Sequence, residues 1–483
     1  MKLYNYLDNI EVLQTNVTHF DIEIKGVTSR LDEVENGYIF VCIKGMRNDG
    51  HSFSVSAKQK GAVLLVVENV TDSVIVSELP YIKVENTRAI LARMCAKSYG
   101  NPERALKLVG VTGTNGKTST CRLLSEIYSY TGQKVKTIGT LDGNLTTPDP
   151  EDFFKILKDA FDSGFERVVM EASSHSLALD KLDGVKFDYG IFTNLTPEHL
   201  DFHRDMEEYA MAKAKLFKNA DCGLYNFDDT YFKQVSSLSN GRACTYSFLD
   251  SKAQFYIKDY VPNGTDGFEY TLVTPKEDIR IKSNLSGKFN VYNTLSAGAL
   301  AYIDGLDADI IKEGILSVKN VSGRLEKVEL EEVPFSVYID YAHSPDALEK
   351  VLCCIRDFKR EDQKITVLFG CGGDRDRSKR RVMGQIASRL ADFVIVTSDN
   401  SRSENAALII DEIMKGIDKE RPHVVIENRR TAIEYAIMNA RENDIILLAG
   451  KGHENYEIDS LGKRYFSEKE IAADAVCKRL KGK

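Results

Sequence analysis

The sequence predicts an α/β protein of three domains, with parallel sheets in the second and third. Three observations carry this. The chain has 483 residues, and at roughly 150 residues per domain that length calls for about three. From residue 106 onward, short apolar runs of strand type alternate with helical stretches, the pattern of a parallel sheet covered on both faces. These runs lead at their carboxyl ends into polar, glycine-rich or acidic motifs, where open α/β sheets place their ligands.

The first domain, residues 1–100, is read from apolar runs at 38–43 and 62–67 that alternate with turns and short helices. A helical stretch over 89–99 stops at Gly100-Asn101-Pro102, a cluster that breaks helices and marks a boundary. The second domain, residues 101–324, opens with a strand at 106–111, a glycine-rich loop and a helix from Thr118 that stops at Gly132. Further strands at 168–170 and 189–193 end at Glu171 and Asn194, and residues 245–285 are β-rich in pattern, an insertion or a sheet edge. The third domain, residues 325–483, carries strands at 335–339, 365–369, 393–397 and 445–448 and reads as a second doubly wound domain.

Composition narrows the function. With 43% hydrophobic and 28% charged residues the chain is an ordinary globular protein, which excludes a disordered chain, a collagen and a disulfide-framework miniprotein. Lys+Arg 64 against Asp+Glu 72 leaves −8, a poor balance for binding nucleic acid or an anionic membrane. The nine cysteines contain no C-x-x-C spacing and read as reduced thiols. The N-terminal residues lack an apolar signal region, and no run approaches the ~18 apolar residues of a membrane span. The expectation is a cytoplasmic protein with no membrane insertion and no nucleic-acid partner.

Gly113-Thr114-Asn115-Gly116-Lys117-Thr118 follows a strand and opens a helix that continues with Ser119. Glycines let backbone N–H groups turn toward phosphate oxygens, and the helix start adds positive potential. Lys117 can reach terminal phosphates and the Thr118 hydroxyl can ligate Mg²⁺. The match is incomplete, since Val111 stands where the usual motif has its first glycine. Read alone, the loop could be only a strand-to-helix turn. Glu171, at a neighbouring strand end, suits Mg²⁺ or a water held by it, or is a solvated acid.

His199 lies in a loop after the strand at 189–193. On the following helix, Tyr209, Lys213, Leu216 and Phe217 fall at i, i+4, i+7 and i+8, whereas Lys215 and Lys218 lie on another side. A lysine on an apolar face has a lowered pKa and can react with CO₂ to give a carbamate. A snorkelling lysine is the alternative.

With these residues in place, the chain resembles the Mur ligase family, of the UDP-N-acetylmuramoyl-tripeptide synthetase type, over nearly its whole length. The resemblance rests on TGTNGKT at 112–118, EASSH at 171–175, HLDFH at 199–203, NVYN at 290–293 and GRLE at 323–326. It continues through DYAHSP at 340–345, GCGGDRD at 370–376, DNSR at 399–402 and GKGHE at 450–454. Each motif is weak alone, and nine in this order are specific.

The resemblance implies a UDP-binding N-terminal domain, a central P-loop ATPase domain and a C-terminal Rossmann-like domain that binds an amino acid. It implies ATP-driven activation of the carboxylate of a UDP-MurNAc peptide as an acyl phosphate, then attack by an incoming amine, in peptidoglycan synthesis. By position, Thr118, Glu171, His199 and a carbamylated Lys213 would hold two Mg²⁺, Lys117 and Arg324 would meet phosphates, Asn293 the adenine and Asp340 the ribose. Ser29 matches a contact to the uridine nucleotide. Thr146, Thr147, Ser173 and Lys181 match contacts to the UDP-MurNAc peptide, here UDP-MurNAc-L-Ala-D-Glu. Arg375, Asp399, Asn400, Ser401, Arg402, Gly450 and Glu454 match an amino-acid site for meso-diaminopimelate, whose distal carboxylate the Arg402 fork would pair.

Three positions depart from the family pattern: Thr28 for aspartate, Lys181 for arginine and Ser401 for proline. The alternatives are the same ligase using L-lysine, a folylpolyglutamate-synthetase-like ligase, a non-catalytic nucleotide-binding paralogue and a P-loop NTPase without ligase activity. The first 100 residues, with Ser29-Arg30, argue against the folylpolyglutamate reading. Intact Lys117, Glu171, His199 and Lys213 argue against the non-catalytic one. A monomer is expected.

Overall fold

The computed structural model describes residues 1–45, 48–141, 145–330 and 333–481. The chain forms two compact units, Met1–Tyr256 with Ser296–Ile310, and Ile257–Leu295 with Ile311–Lys483. Each is an α/β structure.

The first unit holds two sheets. The smaller runs in the order Gln14–Thr15, Tyr81–Lys83, Ala62–Val67, Tyr38–Val41, Gly26–Thr28, and is parallel except at the short edge strand Gln14–Thr15. In the larger, six parallel strands of this unit run in the order Arg242–Ser247, Ala220–Asn226, Phe187–Phe192, Lys107–Thr112, Arg167–Glu171, Val135–Ile138. Lys107–Thr112 is central and buried beyond its first residue, as a near-continuous apolar run requires. Its neighbours end at Glu171 and Phe192, so three chemistry-bearing strand ends lie side by side.

The second unit carries a six-stranded sheet, Glu326–Lys327, Ser336–Asp340, Ile445–Ala449, Ile365–Phe369, Phe393–Val396, His423–Val425. Only the first pairing is antiparallel. Helices Pro345–Phe358, Ser378–Leu390 and Ala406–Met414 share one apolar cluster with the sheet, and Arg429–Asn439 and Glu468–Lys481 share another. The sheet is thus covered on both faces, as a doubly wound domain is. A hairpin, Phe268–Val273 with Asp278–Ser283, belongs to the same unit.

The observed elements differ from the sequence reading mainly at their ends. The helix expected over 89–99 is Thr87–Ser98, because the Asn86 side chain accepts the N–H groups of Arg88 and Ala89 and caps it two residues earlier. Glu171 is the last residue of its strand rather than the first beyond it. Arg242–Ser247, which overlaps the start of the β-rich stretch, pairs in parallel with Ala220–Asn226 and extends the sheet. Among the described residues no helix is long and apolar enough to cross a membrane.

Arg429 ties the strand ends of the second unit together. Its guanidinium donates to Glu468 at 2.8 Å, to the Ala449 carbonyl at 2.8 Å and to the Ser398 carbonyl at 3.2 Å, and the Arg429 and Glu468 side chains are 0% and 2% exposed. Arg429→Ala strands a buried carboxylate and two carbonyls, so it is expected to cost about 3–5 kcal/mol. Chemical denaturation monitored by circular dichroism measures this.

Candidate active site

The phosphate loop is held from beneath by the end of strand Phe187–Phe192. Thr114 N–H donates to the Asn194 carbonyl at 2.8 Å, Asn115 N–H to Asn194 Oδ1 at 3.0 Å, and the Thr193 hydroxyl to the Asn115 carbonyl at 2.6 Å. Gly113 has φ +149°, and a Cβ there would sit 1.9 Å from Thr193 Oγ1, so glycine is obligatory. Helix Lys117–Ser129 begins directly after Gly116, aiming its free N–H groups at the loop. Lys117 Nζ donates to the carbonyls of Gly113 and Thr114, both at 2.9 Å, which holds the ammonium over the loop. Ser119 is buried in the first helical turn.

Thr118 and Glu171 meet as expected, Oγ1 donating to Oε1 at 3.0 Å. The carboxylate also accepts from Thr140 N–H at 2.9 Å and the Thr140 hydroxyl at 3.3 Å. A Cβ on Gly139 would lie 2.4 Å from Glu171 Oε1. A hydroxyl beside a carboxylate, both hard oxygens, fits Mg²⁺. Among the described residues no three His, Cys, Asp or Glu side chains gather as a complete metal cage. Mg²⁺ is usually held by one or two carboxylates and completed by substrate phosphates and water.

His199, at φ +57°, enters an aromatic group formed with His175, His203 and Tyr209. The His175–His199 centroids are 4.8 Å apart, and His203 stacks on Tyr209 at 4.8 Å. Burial lowers all three imidazole pKa values, that of His175 to about 4 with help from His199 and His203. Neutral imidazoles suit ligation or proton relay. Lys213, on helix Met206–Lys218, is 1% exposed, with Nζ 4.5 Å from the Tyr209 ring centre. Its pKa falls well below the lysine norm, first through burial and then through the Lys117 charge. Lys215 and Lys218 are exposed, as the helical spacing requires.

The proposed UDP-peptide contacts gather in the same unit. Thr147 is buried and donates to the Glu171 carbonyl at 2.8 Å, Ser173 N–H donates to Thr147 Oγ1 at 3.0 Å, and the Thr146 and Thr140 hydroxyls are 3.2 Å apart. Ser173 caps helix Ser174–Ala178. Ser29 donates to Glu151, Arg30 pairs with Asp149 and Asp152, and Lys181 pairs with Asp149 at 2.6 Å.

The second unit holds the remaining residues, Asn293 on helix Lys288–Ile303 and others beyond the carboxyl ends of its strands. Asp340 accepts the N–H groups of Leu325 at 2.6 Å and Ala342 at 2.8 Å, and Arg324 lies 5.2 Å from the Tyr341 ring. Burial raises the Asp340 pKa, with Arg324 opposing. Asn293 is buried and donates to Asn290 at 3.0 Å. Asn400 uses both ends of its amide. Its oxygen accepts from Lys451 Nζ and Ile458 N–H, and its nitrogen donates to Glu454 at 2.8 Å. Buried Lys451 also pairs with Asp399 at 3.4 Å. Asp399 and Ser401 are buried, and Gly450 has φ +116°. Arg402 Nη1 donates to the carbonyls of Gly373 at 2.9 Å and Asn400 at 3.3 Å, which fixes the guanidinium plane. Arg375 is exposed.

Family profiles described as "Mur ligase family, catalytic domain", "Mur ligase middle domain" and "Mur ligase, glutamate ligase domain" match residues 23–99, 111–301 and 323–452. A UDP-N-acetylmuramoyl-L-alanyl-D-glutamate–2,6-diaminopimelate ligase of Clostridioides difficile (strain 630) is 40% identical, across 99% of this chain and 100% of its own length. The chain belongs to the Mur ligase family. A ligase of the same name from Geobacter metallireducens is 38% identical across 94% of each chain. A solved structure of a ligase of that name matches with a TM-score of 0.72 and 28% identity, covering 99% of both chains.

In this Mur ligase, the sequence reading missed the residues that hold the site groups in place. In the sequence Tyr209 is one residue of an apolar face, yet its hydroxyl lies 3.2 Å from Thr114 Oγ1 and its ring lies under Lys213. Asp149, Glu151 and Asp152 follow Thr-Thr-Pro at a helix start, where acids are ordinary. Only the fold shows that they receive Ser29, Arg30 and Lys181. Lys451 lies inside the GKGHE motif, and its burial beneath Asn400 has no local signal.

Proposed function

We propose that this chain is the ATP-dependent ligase that joins meso-diaminopimelate to UDP-MurNAc-L-Ala-D-Glu in peptidoglycan precursor synthesis. One observation carries the reading: the phosphate loop, Glu171, the His199 group and a buried, low-pKa Lys213 share one end of one parallel sheet. This is a site for activating a carboxylate with a nucleotide rather than for hydrolysis alone. The substrates follow the names of relatives near 40% identity over the full length. The domain division at 100 and 324, and a monomeric state, belong to the same proposal.

The chemistry asks two anions, a γ-phosphate and a carboxylate, to approach. Lys117, fixed over the loop by two carbonyls, stabilises charge on the transferring phosphoryl group. Thr118 and Glu171 would hold one Mg²⁺, and His199 with carbamylated Lys213 a second, supplying charge neutralisation at the phosphates. Asn293 and Asp340 would meet adenine and ribose. Ser29, Thr146, Thr147, Ser173 and Lys181 bind the UDP-peptide. The acyl phosphate forms as the carboxylate oxygen attacks γ-phosphorus and ADP leaves. The incoming amine then displaces phosphate at the carbonyl carbon.

Phosphate release tests this directly. It should require the UDP-dipeptide and the amino acid together, and release from ATP alone would sink the reading. For the amino acid, Arg402 with Glu454 and Asn400 recognises a distal carboxylate and ammonium that L-lysine only half supplies. Losing the bidentate contact in Arg402→Ala costs roughly 2–4 kcal/mol, or about 30- to 1,000-fold in kcat/KM with diaminopimelate, with little gain for lysine. A wild-type enzyme that uses lysine as well as diaminopimelate would overturn the specificity but leave the ligase.

A further inference from the structure

We propose that Glu151 fixes the hydrogen-bond polarity of Ser29 and so makes the nucleotide subsite select uracil over cytosine. The inference rests on the reading above, in which Ser29 meets the uridine nucleotide. A serine hydroxyl has one proton and two lone pairs. Here the Ser29 hydroxyl gives its proton to Glu151 Oε1 at 2.7 Å. That same oxygen accepts the Ser29 backbone N–H at 3.0 Å, so it acts as an acceptor towards both groups. Ser29 Oγ, only partly buried, therefore offers a ligand lone pairs and no proton. Uracil joined to ribose at N1 has a single ring donor, N3–H, whereas cytosine has a lone pair at N3. An acceptor-only hydroxyl on that edge pairs with one base and repels the other.

Glu151 is 7% exposed on helix Pro150–Asp162, and among the described residues its Oε2 is buried with no hydrogen-bond partner. Burying a carboxylate with one oxygen unpaired costs free energy. A cation lies near it. Arg30, the next residue after Ser29, forks onto Asp152, at 3.2 Å through Nη1 and 2.5 Å through Nη2, and reaches Asp149 at 3.3 Å. Glu151 adds to the field that raises the Arg30 pKa. Glu151 meets Ser29 through Oε1, so it acts as a positioning residue.

The test is competition by UDP, CDP and N3-methyl-UDP against ligation by the full-length enzyme, with calorimetric binding of the same three nucleotides. Wild type should prefer UDP to both others by about 30-fold or more, the penalty for leaving a site's polar group mispaired. In Glu151→Leu the hydroxyl is free to turn, and the UDP-to-CDP ratio should narrow by about tenfold. Glu151→Gln keeps the accepting oxygen and should hold the wild-type ratio. Ser29→Ala, on a partly exposed loop, should match Glu151→Leu, and the double variant should add nothing further. An unchanged ratio in Glu151→Leu, or in Ser29→Ala should the leucine variant fail to fold, overturns the proposal. Intact ligation with unchanged ratios removes this inference alone. A wild type that binds no UDP and ligates no UDP-peptide removes the substrate reading and this inference with it.

Discussion

Lys117→Ala is expected to lower ligation-coupled phosphate release by at least 10²–10³-fold, roughly the effect of deleting one preorganised charge at a developing anion. Its Nζ donates to the loop carbonyls of Gly113 and Thr114, at 2.9 Å each, and its Cα opens helix Lys117–Ser129, where alanine is a good helix former. The fold should therefore survive with a stability change near 1 kcal/mol. A second effect reaches Lys213. The Lys117 charge is the second cause, after burial, of the low Lys213 pKa. Removing that charge raises the Lys213 pKa, so less of the amine is neutral at a given pH. Phosphate release and thermal unfolding, measured on the same preparation, separate the two contributions. Near-wild-type ligation by a folded Lys117→Ala protein would end the phosphate-loop assignment.

The sequence carried the architecture because its signals are local. Buried parallel strands are continuous apolar runs, and each strand end leads into its motif, so the loop at 113–118, Glu171 and Lys213 were legible before the fold. Lys213 stood out because helical spacing separates it from Lys215 and Lys218, and the structure buries the first and exposes the others. What stayed hidden depends on long-range pairing. Ser29 and Glu151 are 122 residues apart, and Asn400 and Lys451 are 51 apart. Nothing local distinguishes Glu151 from the ordinary acid of a helix's first turn. Nor does local sequence show that Asn400 spends its amide on Lys451, Ile458 and Glu454. One amide N–H of Asn400 orients Glu454.

Lys213→Ala is expected to be nearly inactive, by about 10³-fold, and partly restored by formate or acetate. The argument begins with burial. The side chain is 1% exposed, and its amine lies 4.5 Å from the Tyr209 ring centre. Desolvation disfavours the ammonium, and the nearby Lys117 charge disfavours it further, against a smaller opposing pull from Glu198. A lowered pKa means a larger neutral fraction at any given pH. A neutral amine attacks CO₂ at carbon, loses a proton and becomes a carbamate. The sign for stability follows. Folded Lys213 binds fewer protons than unfolded lysine, whose pKa is about 10.4, so its contribution to stability rises with pH up to that value. Carbamylation removes the penalty at neutral pH by replacing a disfavoured cation with an anion that Lys117 and a metal can pair. Activity should accordingly fall in CO₂-depleted buffer and return with bicarbonate, and intact mass should show one bound CO₂ on wild type and none on Lys213→Ala. Rescue of the alanine variant by small carboxylates reads the lost carboxylate itself, since a merely structural lysine would not respond to them. Full activity of Lys213→Ala, or a free amine at saturating bicarbonate, would refute the assignment.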